Sequence, residues 1–136
     1  MNRVLKPMEY MTREEYVKCD CRSIILLGEG EYKGYKWFIL SYQTHPCAYI
    51  VLSPSDEYYG KQWSECDLNV HGGTTFAQYG LHNFVDKDHW VIGWDYNHYG
   101  DFSAMIDMGG KKYTTEEVYR DVKRAINELK GDFDES

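Results

Sequence analysis

"TTEEVYRDVKRAINELKG", residues 114–131, decides how the rest of the chain must fold. Thr114 and Glu117 stand at capping-box spacing, where each side chain satisfies the other residue's backbone N–H at a helix start. Val118, Val122, Ala125, Ile126 and Leu129 then recur at helical spacing, so one stripe is apolar. Gly131 supplies the stop. Such a stripe needs a partner to bury it, and most segments before the helix read as strands. The expected fold class is α+β: a mostly antiparallel β-sheet packed by this C-terminal amphipathic helix and by a short N-terminal helix. The short helix starts at a second capping box, Thr12-Arg13-Glu14-Glu15, and runs to about Lys18.

Working back from the helix, "SIILLGEGEYKGYKWFILSYQ" reads as a strand, a turn rich in glycine and charge, and a second strand. Alternation in the second strand puts Trp37 and Ile39 on one face and Phe38, Leu40 and Tyr42 on the other. Cys47 to Leu52 is a third strand, with Pro46 at its start and Pro54 beyond its end, where proline is tolerated. The three are expected to form a meander. "SDEYYGKQWSECD" reads as turns with one helical turn, and Asp67 begins another short strand. Leu81 to His89 reads as a loop, followed by a strand from His89 to Trp94. Gly93 inside it predicts a bulge or a close approach of another group. A β segment is expected from Ala104 to Met108.

The chain has 136 residues, which fits a single domain over 1–136, with its core at about 12–130 and flexible termini expected. The net charge of −7 argues against a nucleic-acid duplex as partner, because duplex binding rests on many Lys and Arg contacts to phosphate. No stretch reaches the ~20 apolar residues of a membrane span, and the first residues lack the apolar core of a secretory signal. A cytoplasmic location is expected, with the cysteines at 19, 21, 47 and 66 all reduced. An aromatic share of 16%, including 13 tyrosines, provides rings that pair an apolar face with a polar tip and so suit pockets and interfaces.

Two segments carry the candidate chemistry. In "LNVHGGTTF", residues 68–76, Gly72 and Gly73 permit positive φ and leave backbone N–H groups open. With His71, Thr74 and Thr75 as further donors, such a turn can accept an anion or a carbonyl oxygen; it can equally be a plain hairpin turn. In "VIGWDYNHYGDF", residues 91–102, Asp95, His98 and Asp101 are spaced by three, which in a loop can surround a metal or pair Asp with His for acid–base work. No recognised catalytic spacing accompanies them. His45 precedes Pro46 in extended backbone, and reads as a structural or substrate-contacting histidine.

The set "THPCAYIVL", "DLNVHGGTTF" and "WVIGWDYNHYGDF", followed by a charged C-terminal helix, resembles a family of small proteins met in phages, prophages and gut bacteria. The resemblance covers roughly residues 33 to 130. It implies a setting, that of a phage-encoded accessory protein acting inside a bacterial host cell. Small phage proteins of that sort trap nucleotide signals made by host immune systems. The expected function is accordingly an anti-defence sponge that binds and sequesters a nucleotide-derived ligand, without cofactor or metal, and as a homo-oligomer. Trp94, Tyr96 and Tyr99 would stack a base, the turn of His71, Gly72, Gly73, Thr74 and Thr75 would take phosphate with Lys111 and Lys112 nearby, and Asp95, Asn97 and Asp101 would hold hydroxyls. His98 and His45 complete the expected site. The alternative is a hydrolase or phosphodiesterase, with His71 or His98 as base and an aspartate orienting it or holding a metal. A third reading is an inhibitor that binds a host protein through exposed aromatics.

Overall fold

The computed structural model describes residues 5–19, 23–104 and 109–131. In chain order the elements are α1 (Arg13–Lys18), β1 (Ile25–Tyr32), β2 (Tyr35–Ser41), β3 (Pro46–Leu52), a 3-10 turn at Trp63–Glu65, β4 (Phe76–Leu81), β5 (Val85–Asp95) and α2 (Thr115–Lys130). All five strands join one sheet in the order β1-β2-β3-β5-β4, every neighbouring pair antiparallel. This is the expected α+β class, and β1 to β3 form the expected meander.

Lys33 and Gly34 both take positive φ, which suits the two-residue hairpin between β1 and β2. Alternation along the strands then sorts the core. Trp37, Ile39, Ala48, Ile50, Ile92 and Trp94 face α2, whose Val118, Val122, Ala125 and Ile126 are fully buried against them. Phe38, Leu40, Cys47, Tyr49, Leu81 and Val91 form a second cluster, closed by Phe76 and Phe84. Both helices start as their capping boxes predict: Thr114 Oγ1 accepts Glu117 N–H at 3.1 Å and Glu117 Oε1 accepts Thr114 N–H at 3.0 Å, with the same exchange between Thr12 and Glu15. Gly131 closes α2 in the left-handed conformation.

A strap from the N-terminal side ties the sheet to this helix. Lys6 N–H donates to Leu27 O at 2.7 Å, Thr115 Oγ1 donates to Lys6 O at 2.6 Å, and the Tyr10 hydroxyl donates to Tyr113 O at 2.7 Å.

Several sequence expectations change. No strand starts at Asp67. Leu68 turns into the core, Asn69 N–H binds Glu128 Oε1 at 3.1 Å, and Val70 and Gly73 N–H groups close onto Leu68 O and Val70 O. Those donors are spent locally or on the helix, so no ladder forms, and the strand begins at Phe76 instead. The supposed loop from 81 to 89 is a tight turn: Phe84 N–H donates to Leu81 O at 2.8 Å, His82 takes φ 47°, and β5 already starts at Val85. Gly93 marks a close approach rather than a bulge, since a Cβ there would lie 2.5 Å from the Tyr49 ring and 2.6 Å from Ala48 O. The segment expected from Ala104 to Met108 lies largely outside the described residues; Ala104 itself sits in a turn. Among the described cysteines, Cys47 and Cys66 are free and buried, whereas Cys19 is disulfide-bonded. The reading of four reduced thiols is corrected at that position.

Candidate functional site

The turn at His71–Thr75 and the loop at Asp95–Asp101 meet at one end of the sheet, where β5 ends and β3 begins. Their junction is Asp101, whose side chain is only 4% exposed. Its Oδ2 lies 2.8 Å from His71 Nε2 and accepts the backbone N–H of His98 at 2.9 Å. Asp101 is itself held by Lys111, whose N–H donates to Gly100 O and whose carbonyl accepts from Phe102 N–H. Gly110 fits under this crossing because a Cβ would lie 2.4 Å from the Asp101 carbonyl carbon.

The second carboxylate, Asp95, is 29% exposed. Its Oδ2 accepts the Thr75 hydroxyl at 3.2 Å and its Oδ1 accepts Asn97 N–H at 3.1 Å. His98 Nε2 approaches the same Oδ1 to 3.2 Å, which is ion-pair distance, yet the angles are not those of a hydrogen bond. That nitrogen is covered by neighbouring atoms and has no hydrogen-bond partner. A 3.2 Å contact without alignment leaves the nitrogen's bonding capacity unused. His98 also packs over Gly72, where a Cβ would fall 2.3 Å from His98 Nε2. Gly72 has φ 69°, so glycine is required there on two counts.

Aromatic rings hold His71 in place. It stacks on Tyr96 with centroids 4.7 Å apart and planes 9° apart, and Tyr113 packs against it at 4.8 Å. Tyr96 is fixed in turn: Trp94 Nε1 donates to its hydroxyl at 3.0 Å, and the hydroxyl donates to Asp121 Oδ2 at 2.6 Å. Burial, reinforced by the Asp121 carboxylate, pushes the Tyr96 phenol well above its usual range, so it stays a neutral donor. His45 lies in the electrostatic reach of Asp95, His98 and Asp101, with Thr44 Oγ1 at 2.8 Å from its Nδ1. Burial lowers its pKa below the ordinary imidazole value. Next to it, burial pushes the Cys47 thiol upward, which keeps it protonated and a poor nucleophile. A cavity of about 160 Å³ beside Asp95 is lined by Cys47, Tyr49, Thr75, Phe76 and Trp94.

Most of the expected site residues therefore come together: His71, Gly72, Thr75, Asp95, Tyr96, His98 and Asp101, with His45 at the margin. Three expected roles do not fit. Trp94 and Tyr96 are each 1% exposed, so their faces are core and cannot stack a base. Thr74 is buried with its hydroxyl directed at Trp63 O and Cys66 O, 2.9 and 3.1 Å away, so it fastens a loop instead of meeting a phosphate. Lys111 is engaged by Glu117 at 2.8 Å, and Lys112 lies over Phe102. Gly73 N–H is used within the turn, although open space lies beside its α-carbon. Tyr113 and Asp121 were not anticipated. Tyr113 lies just before the helix cap, and Asp121 stands on the polar margin of the stripe, so neither has a periodic signal.

The fold and cluster define an α+β domain with two His–Asp pairs at one end of its sheet. The chain matches no known family model, and neither a curated protein nor a solved structure matches it. Among the described residues no helix is long and apolar enough to cross a membrane, and no three His, Cys, Asp or Glu side chains are grouped so as to hold a metal ion.

Proposed function

We propose that this chain binds and sequesters a small nucleotide-derived ligand, engaging the hydroxyl-bearing part of it at the His98–Asp95 gap. The observation that carries the reading is the covered, unpartnered His98 Nε2 facing Asp95 Oδ1 at 3.2 Å. His98 Nε2 is packed against Gly72, so the reachable group is Asp95, which keeps 29% of its side chain exposed beside Thr75 and can accept a hydrogen bond from a ribose hydroxyl there. Phosphate is poorly suited to this spot, because two carboxylates lie here and Lys111 is already paired. Stacking falls to exposed rings. Tyr99 stands fully exposed on the His98–Asp101 loop, and Trp63, whose carbonyl lies 2.9 Å from the Thr74 hydroxyl, is 49% exposed.

The setting follows the resemblance: a phage-type anti-defence protein acting in the bacterial cytoplasm, with a host immune nucleotide as the ligand to test first. The exposed rings of Trp63, Tyr79 and Tyr99 support the companion proposal of a homo-oligomer. Hydrolysis is the second reading, and the 2.8 Å contact between His71 Nε2 and Asp101 supports it, since a carboxylate orients a base this way. Binding is preferred because rings of Tyr96 and Tyr113 pack against His71 and restrict a substrate's approach.

The test is to incubate the purified protein with a panel of cyclic and ADP-ribose-type nucleotides, remove free ligand by filtration, denature the protein and weigh what is released. An intact nucleotide is the expected result. A shifted product mass would establish the hydrolase, and neither retention nor cleavage would leave the protein-binding inhibitor.

A further inference from the structure

The opposite end of the same strands carries a different kind of site. β3 runs from Cys47, paired with Asp95, to Leu52, paired with Trp90. At about 3.3 Å per residue its far end lies on the order of 17 Å from the His–Asp cluster. There a groove of about 630 Å³ opens between the β1–β2 turn, the start of β2, the loop after β3 and the last residue of α2. We infer that this groove binds a phosphomonoester of mononucleotide size, independently of the His–Asp cluster.

Its volume is in the range of roughly 300–1,000 Å³ typical of small-molecule sites. Its chemistry is asymmetric. Lys33, Lys36, Lys130 and His89 come from four different elements and line it together. Lys36 and Lys130 make no ion pair among the described residues, so their ammonium groups remain available to a ligand. His89 Nδ1 lies 2.8 Å from Asp86 Oδ1, which fixes the ring and turns Nε2 into the nitrogen that can meet a ligand.

Three carboxylates also border the groove. Asp56 is saturated: its Oδ2 accepts Ser53 N–H at 2.6 Å and Ser53 Oγ at 3.1 Å, while its Oδ1 accepts the Tyr35 hydroxyl. Glu31 and Asp88 are exposed on the rim, and Glu31 is the cross-strand neighbour of Lys36. Their charge offsets part of the lysines' and favours one phosphoryl group over a polyphosphate, since each added phosphate would meet fewer unspent cations. The apolar wall is Tyr59, set edge-on to Tyr79 at 6.2 Å and tilted against Trp90 at 6.4 Å, with Pro54 beside it in the lining. A base or sugar face can rest there while Lys36 and Lys130 hold the phosphate.

Adenosine 5′-monophosphate is the probe, titrated by calorimetry at low salt into the wild-type chain, Lys36→Glu, Lys130→Glu and Asp101→Asn, with adenosine as the uncharged control. Both lysines are exposed, so Lys130→Glu should leave the melting temperature unchanged, while Lys36→Glu sets a carboxylate opposite Glu31 and should lower it slightly without preventing folding. The expected result is binding that weakens at least tenfold in each lysine variant, falls with added salt, and survives in Asp101→Asn. No binding by the wild-type chain overturns the inference. So does equal affinity in the lysine variants, or loss confined to Asp101→Asn, which would assign the nucleotide to the His–Asp cluster. Retention of cyclic and ADP-ribose-type nucleotides through filtration tests that cluster separately.

Discussion

The two His–Asp pairs have the same residue types and opposite characters. His71–Asp101 is short, its carboxylate is almost fully buried, and the same oxygen also fixes the backbone of the next loop. His98–Asp95 has similar spacing but no hydrogen-bond alignment, and both side chains keep about a third of their surface in solvent. The first is a fastener between the two segments. The second is what the fastener presents. A carboxylate beside an imidazole is thus not one kind of site, because burial decides whether the pair is spent on structure or left for a partner.

That contrast can be broken by substitution. The deepest support is Trp94, whose indole holds the hydroxyl of Tyr96, the ring stacked on His71. Trp94→Ala should cost roughly 3–5 kcal/mol in urea unfolding, as expected for a core aromatic, and a stable variant with lost ligand retention would return that ring to the pocket. Asp101→Ala comes next, with a loss of roughly 1.5–3 kcal/mol for each charged hydrogen bond removed. An unchanged denaturation midpoint would show that the buried pair is not a fastener. Gly72→Ala should lose about 1–2 kcal/mol from its left-handed backbone, and it should shift the His98 imidazole resonances because the new methyl meets that ring. His98→Ala should change stability by less than about 0.5 kcal/mol while abolishing nucleotide retention in the filtration assay. If retention survives, the open pair is not the binding element.

The smallest expected effect concerns acid. Burial holds His45 below its unfolded value of about 6.5. The unfolded chain therefore binds more protons in that window, so this histidine costs stability as pH falls through about 6.5. His45→Gln should flatten the midpoint-versus-pH curve below that point and leave it unchanged at pH 8. An identical slope in both proteins would remove His45 from the acid response.

The sheet and its helix were legible because periodicity and capping report directly on burial. Trp37 and Ile39 fell on one face and Phe38 and Leu40 on the other, as alternation requires. That the His71 turn and the Asp95–Asp101 loop share one site was expected, but neither the pairing of His71 with Asp101 and His98 with Asp95 nor their division of labour was legible. Trp94 continues the same buried alternation as Trp90 and Ile92, and Tyr96 extends it past the strand end, so the pattern itself pointed to core. Residues 67–75 misled for a different reason. Alternation there is real, yet Asn69 finds its hydrogen-bond partner on α2 through Glu128, a contact across 59 positions that local pattern does not encode.

The N-terminal strap has a consequence for the order of assembly. Tyr10 meets the Tyr113 carbonyl across 103 positions and Lys6 meets Thr115 across 109, so these are among the longest loops the chain closes. Such contacts carry a high entropic threshold and form late. Tyr113 is also a ring against His71. During synthesis the sheet can pair strand by strand, but the bed under His71 remains unfinished until the last helix emerges and the strap closes over its start.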